Sequence, residues 1–217
     1  MSRRIFRCVF IGAIVLAGVD ACAVLDALGP KEAPRVYMLE RARKQPVTQA
    51  GVKQRPKIAV SVPQAWPGFG SMEIAYTTTS NRIEYYAQSA WVDSPARMIG
   101  SLLVQALEDS GLFSAVVEPS AGLAADLRID CQIVKIQHEF ATDRSVGRVV
   151  LRAQWINLAS AQVLGTRTFD ASVPAPSDDP PGAVAAINQA LSNVIDQILD
   201  SSREFLGKAS VRKSYRM

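Results

Sequence analysis

Histidine is almost missing from this 217-residue sequence: His138 stands alone. Any Ser-His-Asp triad or histidine-based metal site would have to pass through that one residue. Cysteine is nearly as scarce, with Cys8, Cys22 and Cys131 the only three, too few for a disulfide framework. No Walker A loop of the form Gly-x-x-x-x-Gly-Lys-Ser/Thr occurs, so the chain does not itself hydrolyse ATP. Nor is there an apolar run long enough to span a bilayer. The uncharged stretch Cys8–Val19 would make about 18 Å of helix against a hydrocarbon core of about 30 Å. Behind the basic start Met1-Ser2-Arg3-Arg4-Ile5-Phe6-Arg7 it reads as the apolar part of an export signal. Basic excess is also small once that signal is discounted. Loss of three arginines and Asp20 takes the formal charge from +4 to +2, and much of the remainder sits in Lys208, Arg212, Lys213 and Arg216. A nearly neutral folded part argues against nucleic acid as a partner.

Immediately after the apolar run comes Val19-Asp20-Ala21-Cys22, which resembles a lipobox, with Asp20 departing from the usual residue. Two processing routes stand open. In one, cleavage before Cys22 leaves a cysteine carrying a covalent acyl/diacylglycerol anchor, the only cofactor-like group expected. In the other, Ala21-Cys22-Ala23 serves as an ordinary A-x-A site. Cysteine arithmetic favours the lipid, because Cys131 sits at an apolar strand position and makes an implausible disulfide partner for a chain terminus. Acyl chains hold a protein to a membrane without spanning it. The expected organisation is a signal at 1–21, a tether at 22–34, one domain over 35–206 and a basic flexible tail at 207–217.

The domain is organised around residues 82–117. Ile83-Glu84-Tyr85-Tyr86 is rich in strand formers, Asp93-Ser94-Pro95 offers two possible N-caps and a tolerated proline, and Ile99, Leu102, Leu103, Ala106 and Leu107 form one helical stripe ending at Gly111. Around this stretch, Arg35–Leu39 is a short strand candidate and Lys57–Val62 a strand with Ile58, Val60 and Val62 on one face. Residues 64–70 read as a turn-rich loop bearing Trp66 and Phe69, and Met72–Thr77 with Arg82–Tyr86 as a hairpin. Over Asp126–Phe140 the apolar parity changes between Ile133 and Val134, which predicts a β-bulge. With Ser145–Asn157 and Val163–Val173 this strand makes an antiparallel meander. Asp178 or Asp179 caps a closing helix, Pro181–Leu206, whose apolar stripe includes Val184, Ile187, Leu191, Val194, Ile195, Ile198 and Phe205. The fold class is α+β: a twisted, mainly antiparallel sheet with two long helices, Pro95–Ser110 and Pro181–Leu206, packed on one face.

Catalytic readings are weak at every candidate. His138 lies on an apolar strand register, as a core or rim histidine does. Cys131 lies between Ile129 and Ile133, and Glu84, Asp93, Asp126 and Asp130 occupy capping or solvated positions. A non-enzymatic protein is expected. Trp66 and Phe69 either stand out as a docking site or fold back over the core. Tyr85 and Tyr86 point to opposite faces, one toward the core and one available for contact. These four aromatics are the candidate partner-binding residues.

The cysteine after the signal, Tyr37-Met38-Leu39, the strand Ile58–Val62, Ile83-Glu84-Tyr85-Tyr86 with Trp91 and Pro95, Leu107 with Ser110-Gly111-Leu112-Phe113, Ala125-Asp126-Leu127 and the closing helix together resemble the ABC-type transport auxiliary lipoprotein family. The resemblance covers about residues 35 to 206. It implies a docking component of a mammalian-cell-entry (MCE) lipid-transport system, partnered by an MCE-domain protein. It also implies anchoring on the periplasmic face of the outer membrane, since Ala23 rather than aspartate follows the cysteine. A homo-oligomer is compatible with such a role. The alternative is a periplasmic lipid carrier with an apolar cavity between helices and sheet.

Overall fold

Alternating residues make the long strands and a 3.6-residue period makes the helices. The computed structural model describes residues 33–42, 55–79, 81–118, 122–140 and 144–214, with backbone alone for 208–214. In chain order these hold β1 (Arg35–Tyr37), β2 (Lys57–Val60), β3 (Gln64–Ala65), β4 (Glu73–Thr77), β5 (Glu84–Trp91), α1 (Pro95–Asp109), β6 (Ala115–Val117), β7 (Leu127–Glu139), β8 (Val146–Asn157), β9 (Gln162–Pro174) and α2 (Pro180–Ser214). The signal, the tether, Cys8 and Cys22 lie outside the described residues.

β7 is the spine. One edge pairs antiparallel with β8 along its whole length, and β8 pairs with β9, giving the expected meander. The other edge is shared by three short parallel strands in series, β2 beside Leu127–Ile129, β3 beside Gln132–Ile133 and β4 beside His138–Glu139. Beyond β2 lies β6, and beyond β4 lie β5 and then β1. The sheet is therefore mixed, with its long ladders antiparallel and its short ones parallel. β7 carries the predicted bulge: Ile133 faces Leu151 and Lys135 faces Val150, so Val134 is the extra residue. Because of it Ile129, Cys131, Ile133 and, past the irregularity, Ile136 and His138 all turn inward.

Both helices cover the inward face. Ile99, Leu103, Ala106 and Leu107 of α1, and Ile187, Leu191, Val194, Ile195 and Ile198 of α2, meet Ile129, Ile133, Val149, Leu151, Ala153 and Trp155, all effectively without solvent exposure. At about 25 cal/mol per Å², burying such side chains dominates the stability. The indole N–H of Trp155 donates to Ser202 Oγ at 3.0 Å, whose hydroxyl donates to the Ile198 carbonyl at 2.8 Å, so no polar atom of that ring is stranded. At the start of α2 the Asp179 carboxylate accepts the Gly182 N–H at 2.9 Å, with Pro180 and Pro181 in the first turn.

Several expectations shift. Ser94 occupies the N-cap of α1 but makes no side-chain cap bond. Asp93 instead accepts the Ser94 N–H at 2.7 Å and pairs with Arg97 at 3.1 Å. β2 ends at Val60, and Val62 is 67 % exposed rather than sharing the face of Ile58 and Val60, because the chain leaves the ladder toward Pro63, which packs against Gly100 of α1. β5 runs on to Trp91 since β1 pairs parallel with its far end, Tyr37 opposite Trp91. α2 continues to Ser214 instead of ending at Leu206. Past Gly207 the residues Lys, Ala, Ser, Val and Arg include no breaker, and the backbone stays helical through Ser214.

Candidate functional site: an aromatic loop and an aromatic-histidine cluster

The loop after β3 separates its two aromatics. Trp66 is 50 % exposed, whereas Phe69 is 7 % exposed and belongs to the core cluster, so Phe69 is not a solvent-facing contact. The split stems from local geometry. Trp66 N–H donates to the Ile133 carbonyl at 2.9 Å, Phe69 N–H to the Trp66 carbonyl at 3.1 Å, and Gly68 turns between them at φ 93°. Such a φ suits glycine, which has no Cβ to clash. The Tyr85 hydroxyl donates to the Gly68 carbonyl at 3.1 Å, which pins the loop to β5 and leaves Tyr85 half-buried. Ile83, partly exposed, lies under the same glycine.

Tyr86 points the other way, as the strand period requires. Its hydroxyl lies 2.7 Å from His138 Nδ1, and its ring packs at a tilt against Tyr76 with centroids 4.7 Å apart. His138 contacts Phe140 at 4.4 Å. Burial pushes the Tyr86 phenol up to about 12 and holds the His138 imidazole below its ordinary value, with Asp178 and Asp179 pulling the imidazole part of the way back. A fully buried neutral imidazole bonded to a tyrosine is a packing element. Its Nε2 has no hydrogen-bond partner among the described residues, so the histidine is a core residue satisfied on one side only.

The other titratable candidates are engaged separately. Glu84 accepts the Tyr76 hydroxyl at 3.0 Å and pairs with Arg82 at 3.3 Å. Asp126 accepts the Lys57 N–H at 2.8 Å, and Asp130 takes the Ser61 hydroxyl at 2.6 Å and Arg128 at 2.9 Å. Cys131 is buried and its thiol is pushed up to about 12, chiefly by burial, so it is no nucleophile at neutral pH. Among the described residues no three His, Cys, Asp or Glu side chains gather as a metal site. No described helix is long and apolar enough to cross a membrane.

Two features escaped sequence reasoning. Val36 and Met38 alternate with core-facing Tyr37 along the outermost strand and its exit, and Val92 N–H donates to the Tyr37 carbonyl at 2.7 Å. Val36, Met38 and Val92 thus form an exposed apolar row, visible only once β1 is known to pair with β5. A strap then crosses the helices. Asn188 brackets Met38 and Glu40 with two hydrogen bonds, and Arg41, its side chain 5 % exposed, pairs with Asp196 at 2.9 Å.

The fold is similar to that of protein XCC0632 from Xanthomonas campestris, with 22% identity, a TM-score of 0.71, and coverage of 81% of this chain and 98% of that one. It is also similar to the hypothetical protein CT253 from Chlamydia trachomatis, with 7% identity, a TM-score of 0.50, and coverage of 70% and 98%. No curated protein matches the sequence. A family model does match, over residues 37–199, from β1 to near the last buried turns of α2: the chain belongs to the ABC-type transport auxiliary lipoprotein component family.

Proposed function

We propose that this chain is an outer-membrane-anchored docking component of an MCE-type ABC lipid-transport system, held to the periplasmic face of that membrane by acyl chains on Cys22. The observation that carries the reading is the family match across the whole folded domain, 37–199, in a chain whose Cys22 directly follows an export-type apolar run. The family is one of transport auxiliary lipoproteins and not an enzyme family, in keeping with a histidine and a cysteine both used for packing. Trp66 is the contact we assign to the MCE-domain partner, because it is a large aromatic held in the open by a braced loop, and such residues anchor interfaces. The row Val36, Met38 and Val92 lies beside Arg35, where the first strand of the domain begins. A carrier would need an apolar chamber between helices and sheet. That space is taken by Ile99, Leu103, Leu107, Ile195 and Ile198, none of which retains solvent exposure, and docking is favoured over carriage.

Fractionation tests the anchor. Wild-type protein is expected in the outer-membrane fraction and Cys22→Ala in the soluble periplasm; wild-type-like sedimentation of Cys22→Ala would remove the anchor. A photo-crosslinking residue in place of Trp66 is expected to capture an MCE-domain protein, while the same residue in place of half-buried Gln154 on the polar face of β8 is not. Equal capture from both positions would remove the Trp66 assignment.

A further inference from the structure

The wing formed by β1, β5 and β4 is joined to the rest of the sheet by one short parallel ladder, Tyr76 opposite His138 and Thr77 opposite Glu139, continued by the Phe140 N–H on the Thr77 carbonyl at 2.9 Å. The chain's single histidine therefore sits in the joint itself. Its ring is fully buried, with Nδ1 on the Tyr86 hydroxyl of the wing and Nε2 without a hydrogen-bond partner among the described residues. The groups acting on it come from each neighbouring element. They are Tyr86 of β5, against which Tyr76 of β4 packs with its hydrogen bond to Glu84, Phe140 just past β7, and Asp178 and Asp179 of the connection before α2. Asp178 accepts the hydroxyl of buried Ser145.

We infer that His138 is a proton-operated hinge: protonation of its ring loosens the β1–β5–β4 wing from β7 while the β7–β8–β9 meander and α2 stay folded. In the neutral ring one nitrogen carries a hydrogen and Nδ1 exchanges one bond with Tyr86. The cation must donate from both nitrogens, and Nε2 has no acceptor among the described residues, so only the charges of Asp178 and Asp179 offset the burial, and they do so in part. Linkage gives the sign. Burial lowers the folded-state affinity of the imidazole for a proton, so the stability it contributes is present above the unfolded value of about 6.5 and is lost as pH falls through the folded value. Within the sheet the wing meets β7 through a two-residue ladder alone, against ladders twelve pairs long on each side of β8, so opening starts at that joint and is resisted beyond it by the buried Ile74, Ala75 and Trp91 and by the strap from Met38 to Arg41. The Trp66 loop bridges the joint, bonded to β5 through Tyr85 and Gly68 and to β7 through the Trp66 N–H on the Ile133 carbonyl.

Hydrogen exchange read by mass spectrometry on the processed full chain, from about pH 7.5 to about pH 5 and corrected for intrinsic rates, tests this. Peptides covering 73–91 are expected to open more as pH falls, by up to about tenfold per pH unit, while those covering 146–174 and 184–199 keep their protection. In His138→Gln the pH response of the wing is expected to vanish. In Asp178→Asn the onset should stay near the unfolded value of about 6.5 and the loss continue to lower pH and grow larger, since one carboxylate that favours the cation is gone. Loss of protection in wing and meander together, or an unchanged response in His138→Gln, overturns the proposal. Should His138→Gln not fold, the ring protons of the single histidine decide in the wild type. A midpoint at or above about 6.5, or titration without accompanying shifts in the wing, overturns it equally.

Discussion

Gly147 and Gly165 are placed by what lies above them rather than by their own backbone. A Cβ on Gly147 would overlap the Ile187 nitrogen and sit 2.6 Å from the Ala186 carbonyl carbon, both helix backbone that cannot retreat without lifting α2. A Cβ on Gly165 would meet only the tip of the Phe205 ring, a side chain with room to rotate at some cost to its packing on Trp155, 4.8 Å away, and to the Arg167 guanidinium 5.0 Å above it. Gly147→Ala is accordingly expected to cost at least about 2 kcal/mol and Gly165→Ala less, read as the order of midpoints in urea unfolding. Equal midpoints would contradict the close approach of α2 to β8. Neither glycine announces this role in the sequence, where each interrupts an otherwise good strand. The inward row Val149, Leu151, Ala153 and Trp155, by contrast, is plain from its alternation.

Among the elements, α2 shows best how a local signal becomes a structural commitment. Asp179 receives the Gly182 N–H and the Ser177 hydroxyl, at 2.9 and 2.5 Å, and these bonds, the Ser177 one foremost, hold its carboxyl below the usual carboxylate range. A group depressed in the folded state contributes stability that is present above its unfolded value of about 3.9 and is lost as pH falls through the folded value. Asp179→Ala is therefore expected to lower the thermal midpoint by a few degrees near neutral pH, with the difference from wild type closing as the pH drops below about 4. A gap that persists unchanged into acid would mean that packing, not the cap, is what the substitution removes. The cap was legible as a choice between Asp178 and Asp179, because proline in the first turn narrows where the helix begins. At α1 the same reasoning places the helix and leaves Asp93 and Ser94 as N-cap candidates; Ser94 takes the position but without a side-chain cap bond, while Asp93 turns to Arg97 and to the Ser94 N–H, and competition between such partners is not encoded in spacing. The bulge at Val134 was legible because a change of parity leaves one residue too many for an inward face.

On the scale of the whole molecule, the strap from Met38 to Arg41 ties the outermost strand to the longest helix, joining parts of the chain about 150 residues apart. Arg41 is buried and Asp196 about a third exposed, so the pair stands between an exposed ion pair worth under about 1 kcal/mol and a buried one whose breakage costs about 3 kcal/mol or more. Asp196→Ala is expected to destabilise by about 2 kcal/mol in urea, with Arg41→Ala/Asp196→Ala costing less than the sum of the single changes. Strict additivity would show that the strap is held by Asn188 and packing alone. The expected sheet, its two helices and its meander all stand, because each rests on a period read over ten or more residues. The forked edge of β7 was not foreseen. β2, β3 and β4 are too short for a period to declare itself, and their place along one strand is chosen by which ends of β7 remain unpaired.

A repeat along the chain, or one residue's intrinsic chemistry, was enough to read the long strands and their inward faces, the two helical stripes, the bulge and the burial of Cys131. The rest depended on which distant surfaces meet in the folded molecule. Trp66 is out and Phe69 in, Val36 and Met38 are left uncovered, and His138 is placed at the joint of two parts of the sheet with one nitrogen bonded and the other not. The division has a physical cause: periodicity is a local property of the chain, whereas exposure and hydrogen-bond satisfaction belong to pairs of surfaces brought together from far apart in it.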